Sequence, residues 1–255
     1  MSLSLTTVGT GTVAPSATRS SPAQWVEAGR VRLLMDCGAG TVHRMARFGL
    51  AWHGVTHLAL THFHADHVGE VPALLFALRH ATVPRRTEPL VVLGPPGTVA
   101  LLENMAAAFG AWVTAPGFPV ATLEIAPDEP FPLADDVWLE ACPVPHTAES
   151  VAFGVRTAGA RMVYTGDTGP SEELAAFALG CDLLLAECSV PEPLPEPIHL
   201  TPELAGQLAG KAQAKRLVLT HFYPPVEAVD IVARARAAYG GPVALANDGG
   251  RFDIG

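Results

Sequence analysis

The sequence has 255 residues, of which 49% are hydrophobic and 16% are charged, and this balance excludes an intrinsically disordered chain. The formal net charge of −9 provides no basic surface for a long polyanion, so extended nucleic acid is disfavoured as a partner. No apolar run is long enough to cross a membrane and the first residues do not resemble an export signal, so we expect a soluble, cytoplasmic protein with no membrane partner.

Short β-branched runs alternate with helical patterns along the chain, an order typical of an α/β fold. The first half predicts strands in LSLTTV, WVEAG, VRLLMD, THLALT, LVVL and VATLEI, and helices near 41–48, 70–80 and 97–109. The second half predicts strands in VWLEAC, VAFGV, RMVYT, DLLLAE, RLVLT and PVALA, and helices that begin at Ser171 and Thr201 and cover 226–239. We predict a single domain, 1–255, with two αβ halves that meet near 126–136.

Two proline-rich, acidic segments interrupt this alternation. The first, APDEPFPLADD at 126–136, is predicted to be a solvated connector between the halves. The second, SVPEPLPEPIHL at 189–200, ends in His199 directly before a capped helix. It is therefore either a second connector or a loop that borders a functional site.

Four cysteines, Cys37, Cys142, Cys181 and Cys188, show no C-x-x-C spacing. A disulfide framework is unusual in a cytoplasmic enzyme of this size. We therefore predict reduced cysteines in the core.

The stretch THFHADH at 61–67 follows a predicted strand and carries the most chemical information in the sequence. It places His62, His64, Asp66 and His67 within six residues. Neutral imidazole and carboxylate are ligands that Zn²⁺ prefers, and a turn at a strand end can direct alternate side chains at one point. A metal site is the leading interpretation, and a solvated histidine turn is the alternative.

Three further positions, His146, Asp167 and His221, also come just after apolar runs. Loops at one edge of an α/β sheet often carry sites, so these side chains could converge on the first cluster. Seven ligands suggest two metal ions, with Asp167 between them. A water held by both cations would be ionised near neutral pH and could act as the nucleophile.

Several longer stretches resemble the metallo-β-lactamase superfamily, and within it the branch of ribonuclease Z-like enzymes and cyclic phosphodiesterases. They include VGTGTVAPSATRSSPA, LLMDCGAGT, LTHFHADHVGEVPALL, VPHTAESVAFGV, VYTGDTGPSEELAAFALGCDLLLAECSV and HLTPELAGQLAGKAQAKRLVLTHFYP. The resemblance implies a four-layer αββα sandwich, a homodimer and two Zn²⁺ ions, with Mn²⁺ or Fe²⁺ as substitutes. It assigns the first zinc to His62, His64 and His146, the second to Asp66, His67 and His221, and the bridge to Asp167.

The same resemblance implies two functional residues that are not ligands. Glu187 and His199 match a pair that delivers a proton to the leaving oxygen. The predicted catalytic residues are these two together with Asp66. A carboxylate beside an imidazole would keep the imidazole oriented and protonated. Asp36, in MDCGAG, is predicted to fix the loop beneath the site.

One departure from the family concerns the substrate. Relatives that process transfer RNA usually carry a basic arm between the positions of His146 and Asp167, but only 21 positions separate these residues here. We therefore predict a zinc-dependent hydrolase that acts on a small (cyclic) phosphodiester through metal-bound hydroxide. The alternatives are a tRNA 3′-processing endoribonuclease or a hydrolase of a lactone, thioester or sulfate ester; a non-catalytic binding module is disfavoured because no ligand is missing.

Overall fold

The computed structural model describes residues 2–127 and 129–255. Its strands are β1 (Leu3–Gly9), β2 (Ala23–Ala28), β3 (Val31–Met35), β4 (His57–Ala59), β5 (Leu90–Gly94), β6 (Val120–Glu124), β7 (Phe131–Ala134), β8 (Val137–Pro143), β9 (Val151–Thr157), β10 (Arg161–Tyr164), β11 (Leu183–Glu187), β12 (Leu217–Thr220), β13 (Val243–Leu245) and β14 (Gly250–Ile254). Its α-helices are α1 (Thr41–Arg47), α2 (Ala65–Val68), α3 (Val71–His80), α4 (Thr98–Phe109), α5 (Glu172–Phe177), α6 (Pro202–Lys211) and α7 (Ile231–Tyr239). Within these described ranges, no helix combines the length and the apolar composition needed for a membrane span.

The strands form two seven-stranded sheets that pack face to face. The first sheet has the order β14-β1-β2-β3-β4-β5-β6 and the second has the order β13-β12-β11-β10-β9-β8-β7. Leu33 and Phe153 belong to the apolar cluster between the sheets. The next residue along β3, Leu34, belongs instead to the cluster that includes Leu74 of α3 on the outer face of the first sheet. Helices cover the second sheet in the same way, which confirms the predicted αββα sandwich.

The parallel strands of both sheets end at the edge where the candidate ligands lie. In the first sheet β3, β4 and β5 run parallel, and in the second β10, β11 and β12 do so. Asp36 follows β3, Asp167 follows β10 after two residues, and His221 follows β12. Loops at the carboxyl ends of parallel strands are the usual position of sites in α/β folds. The fold therefore brings residues that are distant in sequence to one edge.

Two sequence predictions about secondary structure are wrong, and one strand was not predicted. The segment 126–136 contains β7, which pairs with β8, so it is not only a solvated connector; Asp128 lies outside the described residues. The helix predicted over 226–239 is instead a 3₁₀ turn followed by α7, because the Asp230 carboxylate accepts a hydrogen bond from the Ala233 backbone and caps a new helix. The sequence reasoning also missed β14. The single-domain assignment stays a prediction.

The cysteine prediction is confirmed. All four thiols are buried and none of them forms a disulfide. They occupy positions in the apolar clusters or directly beside them, where a thiol packs as a small hydrophobic group.

Candidate metal centre

The chain at 61–67 turns sharply because Asp36 and Gly38 lie beneath it. Asp36 Oδ1 accepts hydrogen bonds from the backbone N–H and the hydroxyl of Thr61, at 2.8 and 3.0 Å. His64 is extended and α2 begins immediately after it, which turns the chain back over Gly38. A Cβ atom at position 38 would lie 1.8 Å from the carbonyl oxygen of Asp66, so only glycine permits this approach. This turn directs the motif's side chains toward one point.

Three histidines and one carboxylate oxygen form the first group of candidate ligands. His64 Nδ1 lies 3.1 Å from both His62 Nε2 and His146 Nε2. Asp167 Oδ2 lies 3.9 Å from His62 Nε2 and 3.7 Å from His146 Nε2. All four ligand atoms lie within 4.8 Å of one another. One small cation could contact all of them.

The other oxygen of Asp167 faces the second group. Asp167 Oδ1 lies 3.2 Å from His67 Nε2 and 3.3 Å from His221 Nε2. Asp66 Oδ2 lies 3.6 Å from His221 Nε2. The structure thus brings all seven predicted ligands together and places Asp167 between the two groups.

The donor atoms of the second group fit a divalent cation. His67 Nε2, Asp167 Oδ1 and His221 Nε2 are buried and have no hydrogen-bond partner among the described residues. A buried polar atom without a partner costs about 1–3 kcal/mol, which a coordinated ion would offset at three atoms together. Imidazole nitrogen and carboxylate oxygen are also the ligand types that Zn²⁺ takes.

The pKa values of His62 and of two carboxylates favour the protonation states that bind metals, whereas the carboxylates of Asp167 and Asp36 raise the pKa of His67 despite its burial. Burial, together with the charge of His67, lowers the pKa of His62 to about 2, so its ring is neutral at pH 7. Burial alone would raise the pKa of Asp66, but the proximity of His221 and His67 lowers it to about 2. Burial is likewise outweighed at Asp167, whose pKa the neighbouring histidines hold well below its ordinary value. Both carboxylates are therefore ionised at pH 7.

Asp36 supports the motif from below, as the sequence indicated. Asp36 Oδ2 accepts hydrogen bonds from His67 Nδ1, at 2.9 Å, and from the Tyr164 hydroxyl, at 3.0 Å. With Nδ1 committed to this bond, Nε2 of His67 turns toward Asp167. Asp36 itself has a φ of 60°, an unusual backbone conformation for a residue other than glycine.

His199 and Glu187 form an ion pair beside the two ligand groups. His199 Nδ1 lies 2.8 Å from Glu187 Oε1, and its ring centroid lies 4.9 Å from that of His146. Burial by itself would lower the pKa of His199, but the hydrogen bond and the charge of Glu187 raise it above its ordinary value. His146 Nδ1 also lies 3.0 Å from the carbonyl of Ile198, so the segment 189–200 borders the site.

The sequence reasoning missed two side chains at this site. Ser189 lies between Glu187 and His221. The Tyr223 ring lies 5.9 Å from that of His221 and 6.1 Å from that of His199, at the wall of the site. The available signal was spacing, because residues two positions apart in an extended chain point to the same side. Ser189 is two positions after Glu187, whereas no such signal marks Tyr223, because the chain at His221 has a φ of 60° and is not extended.

Comparison with known proteins identifies the family and the fold. Residues 31–222 match the family model of the β-lactamase superfamily domain. A ribonuclease Z of Mycobacterium sp. (strain KMS) is 34% identical over 277 aligned residues, which cover 99% of this chain and 96% of that protein. The metallo-β-lactamase fold protein YhfI from Bacillus subtilis superposes with a TM-score of 0.85 at 21% identity, covering 99% of this chain and 100% of that one. Human tRNase Z, short form, superposes with a TM-score of 0.78 at 24% identity, covering 99% of both chains.

Proposed function

Because the chain belongs to the β-lactamase superfamily, in its ribonuclease Z-like branch, we propose that it is a two-zinc phosphodiesterase that hydrolyses small, cyclic phosphodiesters. The observation that carries the proposal is the position of Asp167, whose two oxygens face two separate groups of donors. Such an arrangement suits two cations that share one carboxylate. Paired cations are a common solution for enzymes that cleave phosphate esters.

In this proposal each ion takes three ligands of its own and shares Asp167. His62, His64 and His146 hold the first ion, and Asp66, His67 and His221 hold the second. When bound, the two ions would acidify a water for attack on phosphorus and offset the charge of the phosphate. Mn²⁺ and Fe²⁺ accept the same imidazole and carboxylate ligands and are the proposed substitutes.

His199 is the proposed proton donor to the leaving oxygen. Its Nδ1 proton is shared with Glu187, so the proton available to a substrate is the one on Nε2. The carboxylate raises the pKa of His199 and so favours the charged form of the imidazole, which is the form that can give up a proton. Glu187 is fully buried, so it does not contact the substrate and supports proton delivery through His199.

The substrate class is proposed from the loop between His146 and Asp167. This region is occupied by β9 and β10, an antiparallel pair joined at 158–160, as the short spacing predicted. With no arm in this hairpin and a net charge of −9, a large RNA finds little electrostatic attraction.

A second candidate function is tRNA 3′ processing, and the names of the relatives favour it. A ribonuclease Z matches over nearly the whole chain, and a human tRNase Z shares the fold. The active-site residues described above would serve either substrate, because both reactions break a phosphodiester bond.

We expect the purified protein to hold two Zn²⁺ ions per chain after reconstitution and desalting. We expect two ions because the candidate ligand atoms form two separate groups, one on each side of Asp167. Elemental analysis against protein concentration measures the ratio. His80→Ala is the matched control, since it changes a histidine on the outside of α3 and should leave the ratio at two. A ratio of one or less in the unmodified protein would contradict the two-ion proposal.

We also expect precursor tRNA to be cut more slowly than a small phosphodiester. The comparison uses kcat/KM for bis(p-nitrophenyl) phosphate, a 2′,3′-cyclic nucleotide and a precursor tRNA at one salt concentration, because RNA binding depends strongly on salt. A higher kcat/KM for the cyclic nucleotide than for the tRNA supports the small substrate. Efficient, site-specific release of a 3′ trailer would instead make the second candidate the function.

A further inference from the structure

Ser189 lies in the core between a predicted catalytic carboxylate and a candidate metal ligand. Its Oγ lies 2.8 Å from His221 Nδ1 and 3.1 Å from the carbonyl oxygen of His221. Its shortest contact is with Glu187 Oε2. Glu187 and Ser189 are completely buried and His221 is 2% exposed, so water does not compete for these bonds.

The chemistry of the three groups fixes the direction of both hydrogen bonds. A carboxylate only accepts, so the single hydroxyl proton of Ser189 lies in the short contact with Glu187. Ser189 Oγ is then an acceptor toward His221, and Nδ1 of that ring must be the donor. The remaining nitrogen, Nε2, is left with its lone pair directed at Asp66 and Asp167.

We propose that Ser189 is a positioning residue for the second metal ion: it holds His221 in the tautomer and orientation in which Nε2 can coordinate. The proposal rests on the metal assignment of the proposed function. Glu187 then supports two groups at once, because one of its oxygens binds His199 and the other acts on His221 through Ser189. Hydrogen bonds of this kind to ligating histidines orient the ring and raise its basicity.

Glu187 is well fixed for this double role. Oε1 accepts from His199 Nδ1 and from the Thr168 backbone, and Oε2 accepts from Ser189 and from the Leu200 backbone. These four bonds use the four acceptor positions of the carboxylate. The bond to Thr168 also fixes the chain directly after Asp167. The Glu187 carboxylate therefore cannot rotate toward His199 without releasing Ser189.

The test is the zinc affinity of Ser189→Ala and Ser189→Thr, measured by competition with a chromogenic chelator on metal-reconstituted protein. We expect Ser189→Ala to weaken one of the two binding steps by about 10–100-fold, the usual effect of losing such a supporting bond, and to leave the other step unchanged. Ser189→Thr keeps the hydroxyl and should restore the affinity. Ser4→Ala, at a buried serine of β1 far from the site, is the matched control and should change neither step.

A second measurement reports on the hydrogen bond itself. In the zinc-loaded protein the Nδ1 proton of His221 should give a downfield, slowly exchanging proton resonance, which Ser189→Ala should abolish. Equal losses at both zinc-binding steps, no loss at either, or a persisting resonance in Ser189→Ala would overturn the proposal. None of these readouts involves a substrate, so the result is independent of whether the enzyme cleaves phosphodiesters.

Discussion

Asp167→Ala should be the most damaging single substitution in the metal centre. Each of the other six candidate ligands belongs to one of the two groups, whereas the two oxygens of Asp167 face both groups. Its loss should remove at least one ion and reduce kcat by more than the 10²–10³-fold typical of one lost electrostatic contact. Zinc content and turnover of bis(p-nitrophenyl) phosphate measure the two effects on the same sample.

Two comparisons make this expectation specific. Asp182→Asn changes a carboxylate at the opposite end of the second sheet, where it pairs with Lys215, and should keep both zinc and activity. Asp167→Asn keeps the size of the side chain but removes its charge, so it should resemble Asp167→Ala rather than the parent. An Asp167→Ala protein with two ions and normal turnover would show that Asp167 does not bridge.

His199→Ala should keep both zinc ions and lose about 10²–10⁴-fold in rate, the usual contribution of a positioned proton donor. The loss should depend on the leaving group. A p-nitrophenolate leaves readily as an anion, whereas a ribose alkoxide needs the proton. Comparing an aryl phosphodiester with a cyclic nucleotide at fixed zinc occupancy separates the two cases, and the larger loss is expected on the cyclic nucleotide.

Glu187→Gln provides the second arm of this experiment. It should act in the same direction but less strongly, because it weakens the orientation and charge of His199 without removing the ring. Equal losses on both substrates for His199→Ala would mean that this histidine binds the substrate or supports the fold, and the proton-donor role would have to be abandoned.

The strands and helices were predictable where apolar residues recur with a regular period and where capping residues mark the ends of the element. Ser171 and Thr201 begin helices, and their side chains accept hydrogen bonds from Leu174 and Leu204 as capping residues do. β7 was missed because Pro132 and the acids around it argue against a strand, although an edge position tolerates proline. β14 was missed because its pairing with β1 depends on residues about 250 positions away.

The candidate ligands were predictable for a different reason. Clustered histidines and aspartates have few roles other than metal binding. These clusters also come after apolar runs that are typical of strands. The supporting contacts were less accessible, because the partners are distant in sequence and chemically ordinary. Tyr164 binds Asp36 across 128 positions, and nothing in the sequence around either residue indicates that bond. The role of Ser189 depends on a third residue, His221, that only the folded chain brings near.

The pairing of β14 with β1 has a consequence for synthesis on the ribosome. The first sheet cannot be completed until residue 254 has emerged, because Ile254 pairs with Leu3 and Gly250 pairs with Thr7. Until then one edge of β1 is unpaired, and such edges attract other chains. The candidate metal donors are divided in the same way: the motif at 61–67 emerges early, whereas His221 precedes Ile254 by only 33 positions. A nascent chain therefore acquires its closed sheet and its full set of donors at almost the same moment.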